Sequence, residues 1–391
     1  MLSRRPSLWS LFLVAAVGLA GCEPYMSLTD RIPTQTRQAT ALLPETPRFA
    51  GMVDLEATVG QIGAWTDVGP REQLRAMDST RLGTFLDATG MEPATDLKAI
   101  YGAGGRSPSF SAVVFADLTP AQVDQYLDRV SGGGTRRTYR EVPVYRLVAG
   151  TQDEPPSDTL TMGFVRDGTI AVAPDPGRVE AMVDRHRDQA SGLRGNESYM
   201  TLMERVGHGS TAWLVGRDVL QTALRDFAAG EKDTAEAASP PREMGLQRML
   251  GAWADRMLGV DEPPSFEAPD DNRFERLRRQ VREQAVSITL TAESMEGEAY
   301  LTMRDETSAS NVVDVSKGVM AALRLSGDDA DAKGLRGLLD DVSIDQDGSI
   351  VHAQFAVGRE QFRQTVRARR DVPAARRSVA SIRRANRAIR R

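Results

Sequence analysis

Three histidines, His186, His208 and His352, and one cysteine, Cys22, are the only soft metal donors and strong nucleophiles of this type in 391 residues. No two histidines stand at the four-residue spacing that puts both imidazoles of a zinc site on one helix face, and a lone cysteine makes no CxxC pair. Gly207-His208-Gly209-Ser210 sets a base beside a hydroxyl, but Thr211-Ala212 follows, so the glycine that a nucleophile elbow needs two residues after its serine is missing. Ser343, Asp345 and Asp347 precede Gly348 as in the first half of a calcium loop. The twelfth position is Gln354, which cannot supply the bidentate carboxylate, so a plain Asp-Gly hairpin turn is expected there. Gly102 to Gly105 run into Arg106-Ser107 instead of Gly-Lys-Ser, with a strand to follow, and read as a loop and not as a phosphate cradle. The residues nominate no catalytic set, no metal site and no cofactor.

Cys22 is the exception, because its position and not its neighbours in space prescribes a reaction. Arg4 and Arg5 precede an apolar run from Leu8 to Leu19, the layout of a secretory signal, and the run is shorter than the roughly 20 residues that span a bilayer. It closes on Leu19-Ala20-Gly21-Cys22, which resembles the lipobox of bacterial lipoproteins. That resemblance covers residues 1–22 alone. It implies that residues 1–21 are a signal peptide, removed after a diacylglycerol carrying chains such as palmitate is attached to the Cys22 thiol. It also implies a periplasm-facing protein of the cell envelope, and Glu23, where aspartate favours inner-membrane retention, points to the outer membrane.

The total formal charge of −5 divides into +2 on the signal, −16 on residues 22–366 and +9 on residues 367–391. An acidic body of that size repels a phosphate backbone, so nucleic acid is excluded as its partner. With no second cysteine, intramolecular disulfides are excluded too, and stability in an oxidising envelope must come from packing.

The elements that must position any site follow from periodicity. Residues 22–46, with Pro24, Pro33 and Pro44 among Thr, Gln and Arg, read as a flexible tether. A strand at 49–54 runs into a helix bearing Leu55, Val59, Ile62 and Trp65, and a second helix over 73–89 ends at Gly90. Phe110 to Ala116 is almost wholly apolar, as a strand buried on both faces would be. Thr119-Pro120-Ala121-Gln122 is a capping box that opens a helix, and strands at 141–148, 159–165 and 169–173 lead to a helix capped by Asp175-Pro176. The pattern then restarts with a strand at 211–215. After a polar linker at 230–242 come helices at 244–258 and 272–284, a hairpin over 286–303, helices at 311–325 and 331–340, and a hairpin at 342–356. The Asp-Gly turns at 167–168 and 347–348, and the Gly-Arg joints at 177, 216 and 358, recur as they would in a duplicated unit. The expectation is an α+β fold of mainly antiparallel sheet, with helices packed on one face and two similar halves, residues 47–207 and 208–371.

Beyond the halves, residues 372–391 form a basic amphipathic tail. Arg376, Arg377, Arg383, Arg384, Arg387, Arg390 and Arg391 crowd around Val379, Ile382 and Ile389, an arrangement suited to anionic lipid headgroups or an anionic envelope polymer. Three functions stay open on this reading: a lipid-anchored, non-catalytic module that binds an envelope component, a hydrolase whose site converges only in three dimensions, and a carrier of an apolar ligand.

Overall fold

The computed structural model describes residues 32–65, 81–105, 110–130, 134–149, 158–207, 209–217, 279–325 and 341–361. The first stretch holds α1 (Thr34–Leu42), β1 (Phe49–Asp54) and α2 (Leu55–Trp65), followed by α3 (Arg81–Thr89), α4 (Pro93–Asp96), β2 (Leu97–Gly104) and β3 (Phe110–Ala116). Next come α5 (Pro120–Arg129), β4 (Gly134–Tyr139), β5 (Val142–Ala149), β6 (Asp158–Arg166), β7 (Thr169–Ala173) and α6 (Pro176–Arg187). A 3-10 turn (Gly192–Gly195), α7 (Glu197–Val206) and β8 (Ala212–Gly216) lead to β9 (Val281–Leu290), β10 (Ser294–Met303), α8 (Glu306–Leu325), β11 (Ser343–Asp347) and β12 (Ile350–Gly358).

Local chemistry explains most of these ends. Thr119 Oγ1 accepts from Gln122 N while Gln122 Oε1 accepts from Thr119 N, closing the capping box of α5. Asp175 caps α6 through Gly177 N at 3.0 Å, and α3 stops at Gly90, whose φ of +66° is left-handed. The turns between β6 and β7 and between β11 and β12 pivot on Gly168 and Gly348, at φ +67° and +55°. Ser343, Asp345 and Asp347 accordingly lie along a strand, pointing to one side of it.

All twelve described strands join one antiparallel sheet, in the order β11-β12-β10-β9-β8-β1-β2-β3-β7-β6-β5-β4, so the fold is α+β with an antiparallel sheet as expected. Outward from the central β1–β8 pair the order is β1-β2-β3-β7-β6 one way and β8-β9-β10-β12-β11 the other. Each arm has three strands in chain order, a helix after the third (α5 or α8), and a hairpin that folds back beside that third strand. The first arm additionally carries β4 and β5 at its edge.

The helices lie on both faces of the sheet, and not on one. Ala50, Met52, Tyr101, Val113 and Val215 point to the face covered by α1, α6 and α7, while Ala112, Ile170 and Val172 point to the face covered by α3 and α5. Through Met303 and Val351, α8 packs on that second face in the other arm. The reason is the period of a strand. Phe110 to Ala116 is apolar at odd and even positions alike, so both sides of β3 need a cover.

Two further expectations change. The tether reaches no further than residue 31 among residues 22–46: Ile32, Thr36, Ala39, Thr40, Leu42 and Leu43 are buried, and α1 is part of the core. Thr36 Oγ1 and Tyr101 OH share a hydrogen bond of 3.0 Å, and burial pushes the Tyr101 phenol up to about 12. Gly102 and Gly104, expected in a loop, lie in β2. A side chain at either would collide with the ring of Phe110 or Phe49, which lies across the strand there.

Candidate functional site

Where α1 meets the end of β6 and the C-terminal end of α6, the surface opens into a cleft of about 440 Å³. That size lies within the range of small-ligand sites. Thr34, Arg37 and Gln38 of α1 form one wall, Arg166 closes β6, Arg185 and His186 come from α6, and Arg194 comes from the 3-10 turn. Four guanidinium groups and an imidazole therefore line it, and no carboxylate is among the lining residues.

Three of the four arginines are held by neutral partners. Arg37 donates to Thr34 Oγ1 at 3.2 Å, Arg185 to the carbonyl of Leu42 at 3.1 Å, and Arg166 to Thr169 Oγ1 at 3.0 Å and to Gln38 Oε1. None of Arg37, Arg166, Arg185 and Arg194 forms an ion pair among the described residues. The contrast lies a few residues away. At the outer edge of the same sheet Arg136 pairs with Asp124 at 2.7 Å, Arg137 with Glu180, Arg140 with Asp184 at 3.1 Å and with Asp188 at 2.9 Å, and Arg187 with Glu141 at 3.4 Å.

The local structure makes such a concentration of cations tolerable. Arg185, His186 and Arg187 form the last turn of α6, where the exposed carbonyls carry partial negative charge. Burial lowers the Arg185 pKa from its usual range, with Asp184 and Glu45 opposing. His186 is also lowered, first by burial and then by Arg166 and Arg187. Its stability contribution is thus present above the unfolded value of about 6.5 and is lost as pH falls through the folded value. Burial and the two guanidinium groups favour the neutral form of His186, and an anion seated against it would favour the protonated form. Sulfate, whose charge is constant between pH 7.5 and 5, is therefore expected to bind a few-fold more tightly at the lower pH, and His186→Gln should flatten that dependence in a calorimetric titration.

Apart from His186, the residues that the sequence offered for chemistry are placed apart from this cleft or outside the described part. Cys22, the tail arginines 376, 377, 383, 384, 387, 390 and 391, His208 and the linker at 230–242 lie outside the described residues. His352 of β12 stacks on Tyr300 of β10, ring centroids 4.2 Å apart, and Ser210 is buried with no partner for its hydroxyl among the described residues. Of the two described histidines, His186 lines the cleft and His352 does not. Sequence reasoning missed the site because Arg37 falls in the stretch read as a tether and the other three arginines stand far from it along the chain. The one available signal was a cluster of arginines in a body otherwise rich in acid.

No family model and no curated protein matches the chain. Among solved structures, three crystal forms of TP0453 align with it at 8–10% identity and TM-scores of 0.38 to 0.40, over 84–87% of this chain and 96–98% of theirs.

Proposed function

We propose that this chain is a lipid-anchored, non-catalytic protein of the bacterial cell envelope that faces the periplasm and binds an anionic envelope component. The observation that carries the binding half is the cleft: four arginines, three of them with neutral partners, converging without a carboxylate among the lining residues, in a body of charge −16. Arginine presents two parallel donors to an oxyanion, so such a set selects phosphate-like or carboxylate-like groups over neutral ones. Binding is favoured over hydrolysis because the lining residues include no cysteine or carboxylate, and the hydroxyl of Thr34 is engaged with Arg37. The anchor half rests on Leu19-Ala20-Gly21-Cys22, and the tail from residue 372 to 391 adds a second, salt-sensitive contact with the same class of surface.

The test is calorimetric titration of the non-lipidated mature chain with inorganic phosphate and pyrophosphate. Arg166→Ala is expected to weaken binding about tenfold, in line with the loss of one charge-assisted contact. Phosphate binding at the same strength by Arg166→Ala and by the parent chain would remove the cleft from this reading.

A further inference from the structure

We infer that the group held in the cleft is the phosphate of a lipid headgroup in the same membrane that holds Cys22. The inference rests on the reading of the chain as lipid-anchored and of the cleft as an anion site, and it adds the source and the orientation of the ligand.

The reach of the chain is the first ground. The core begins at Ile32, which is 5% exposed, and α1 with Arg37 and Gln38 follows within one turn and a half. Only ten residue steps separate Ile32 from Cys22. Fully extended they span at most about 35 Å, and as a flexible coil roughly 17 Å. The wall of the cleft is thus the part of the domain kept nearest to the anchored end. Attachment through ten residue steps keeps the cleft at an effective headgroup concentration in the millimolar range, so even a weak intrinsic affinity yields occupancy.

Charge is the second ground. A body of −16 is repelled by an anionic leaflet, and the repulsion decays over about 8 Å at physiological ionic strength. Close approach therefore needs a local inversion of sign, and the cleft is one. Arg37, Arg166, Arg185 and Arg194 supply donors for a phosphodiester, and the amide nitrogen of Gln38 adds a neutral one, since its oxygen is taken by Arg166. The lining is not wholly polar. Half-buried Ala41, backed by the largely covered Leu42 and Val165, gives a small apolar contact for the first methylenes of a lipid, a feature that free phosphate does not need. Docked this way, α1 and the C-terminal end of α6 face the membrane.

The experiment uses the non-lipidated mature chain carrying Cys22→Ser, with its tail intact. Vesicles of phosphatidylcholine alone are compared with vesicles holding about one third phosphatidylglycerol, in a co-sedimentation assay at low salt, with inorganic phosphate titrated in parallel. Binding is expected only to the phosphatidylglycerol vesicles, at least tenfold weaker for Arg37→Gln combined with Arg194→Gln, and competed by inorganic phosphate. These two arginines are chosen because neither bonds the backbone of another element, and unchanged thermal unfolding of the variant shows that the fold is kept. A chain that binds inorganic phosphate in the cleft but ignores the vesicles overturns the headgroup inference and leaves the anion site standing. Failure to bind either ligand overturns both. Vesicle binding equal in the parent and the double variant overturns the inference by assigning the contact elsewhere, with the tail as the alternative surface.

Discussion

Cys22→Ser is expected to move the protein from an almost wholly membrane-bound population to one released by carbonate washing or held as an uncleaved precursor, with no incorporation of labelled fatty acid. The thiol is the only one in the chain, so no other side chain can take the diacylglycerol. A serine hydroxyl at that position is far less nucleophilic at neutral pH than a thiolate. The size of the effect follows from the acyl chains. Each buried methylene contributes about 0.8 kcal/mol, so one chain holds a protein only reversibly while two or more hold it stably. No helix among the described residues is long and apolar enough to cross a bilayer. The protein would then depend on the cleft and the tail, which act through charge and weaken with salt. If Cys22→Ser is processed normally and still sediments with washed membranes, the anchor is not Cys22.

The second large effect is expected at Gly192, on which the wall of the cleft depends. Its φ of +52° is left-handed, and a Cβ there would lie 2.3 Å from the carbonyl oxygen of Ala41 and 2.7 Å from that of Leu43. Both carbonyls belong to the end of α1 and the residue after it. Leu193 then donates its N–H to Leu43 O at 3.0 Å and is itself fully buried, so the turn is pinned against α1 from two sides. Gly192→Ala adds roughly 1 kcal/mol for the left-handed backbone and about 1 to 3 kcal/mol for overpacking. A loss of about 3 kcal/mol in unfolding free energy is expected by urea titration, together with weaker sulfate binding, because Arg194 follows on the same turn and α1 carries Arg37. Gly209→Ala is the matched control. It has a φ of +74° but open space where a Cβ would stand, so only the backbone part, about 1 kcal/mol, should appear. Equal losses at the two glycines would mean that the turn is not packed tightly against α1.

What the amino-acid order determined by itself is whatever neighbouring residues decide among themselves. Thr119 and Gln122 close a capping box within one turn, Asp175 caps α6, Gly168 and Gly348 make two-residue turns, and the alternation along β9 and β10 needs no distant partner to be read. Elements whose residue types suit them only against a particular neighbour were hidden. In α1 the inward side is Thr36, Ala39 and Thr40, hydroxyls and a methyl with little hydrophobic period. They can be buried only because Thr40 donates to the carbonyl of Thr36 and Thr36 meets Tyr101 from β2. In β2 two glycines gave no strand signal because the rings of Phe49 and Phe110 supply the bulk that the glycines lack. In β4 the run Thr-Arg-Arg-Thr-Tyr is too polar for a core strand and is accommodated at a sheet edge, where charge discourages further pairing. The cleft belongs wholly to this second kind. Arg37, Arg166, Arg185 and Arg194 come from a helix, a strand end, another helix and a turn. Only the tertiary structure brings them to one side of the sheet, because Coulomb interactions depend on distance in space and the chain order records only distance along the backbone.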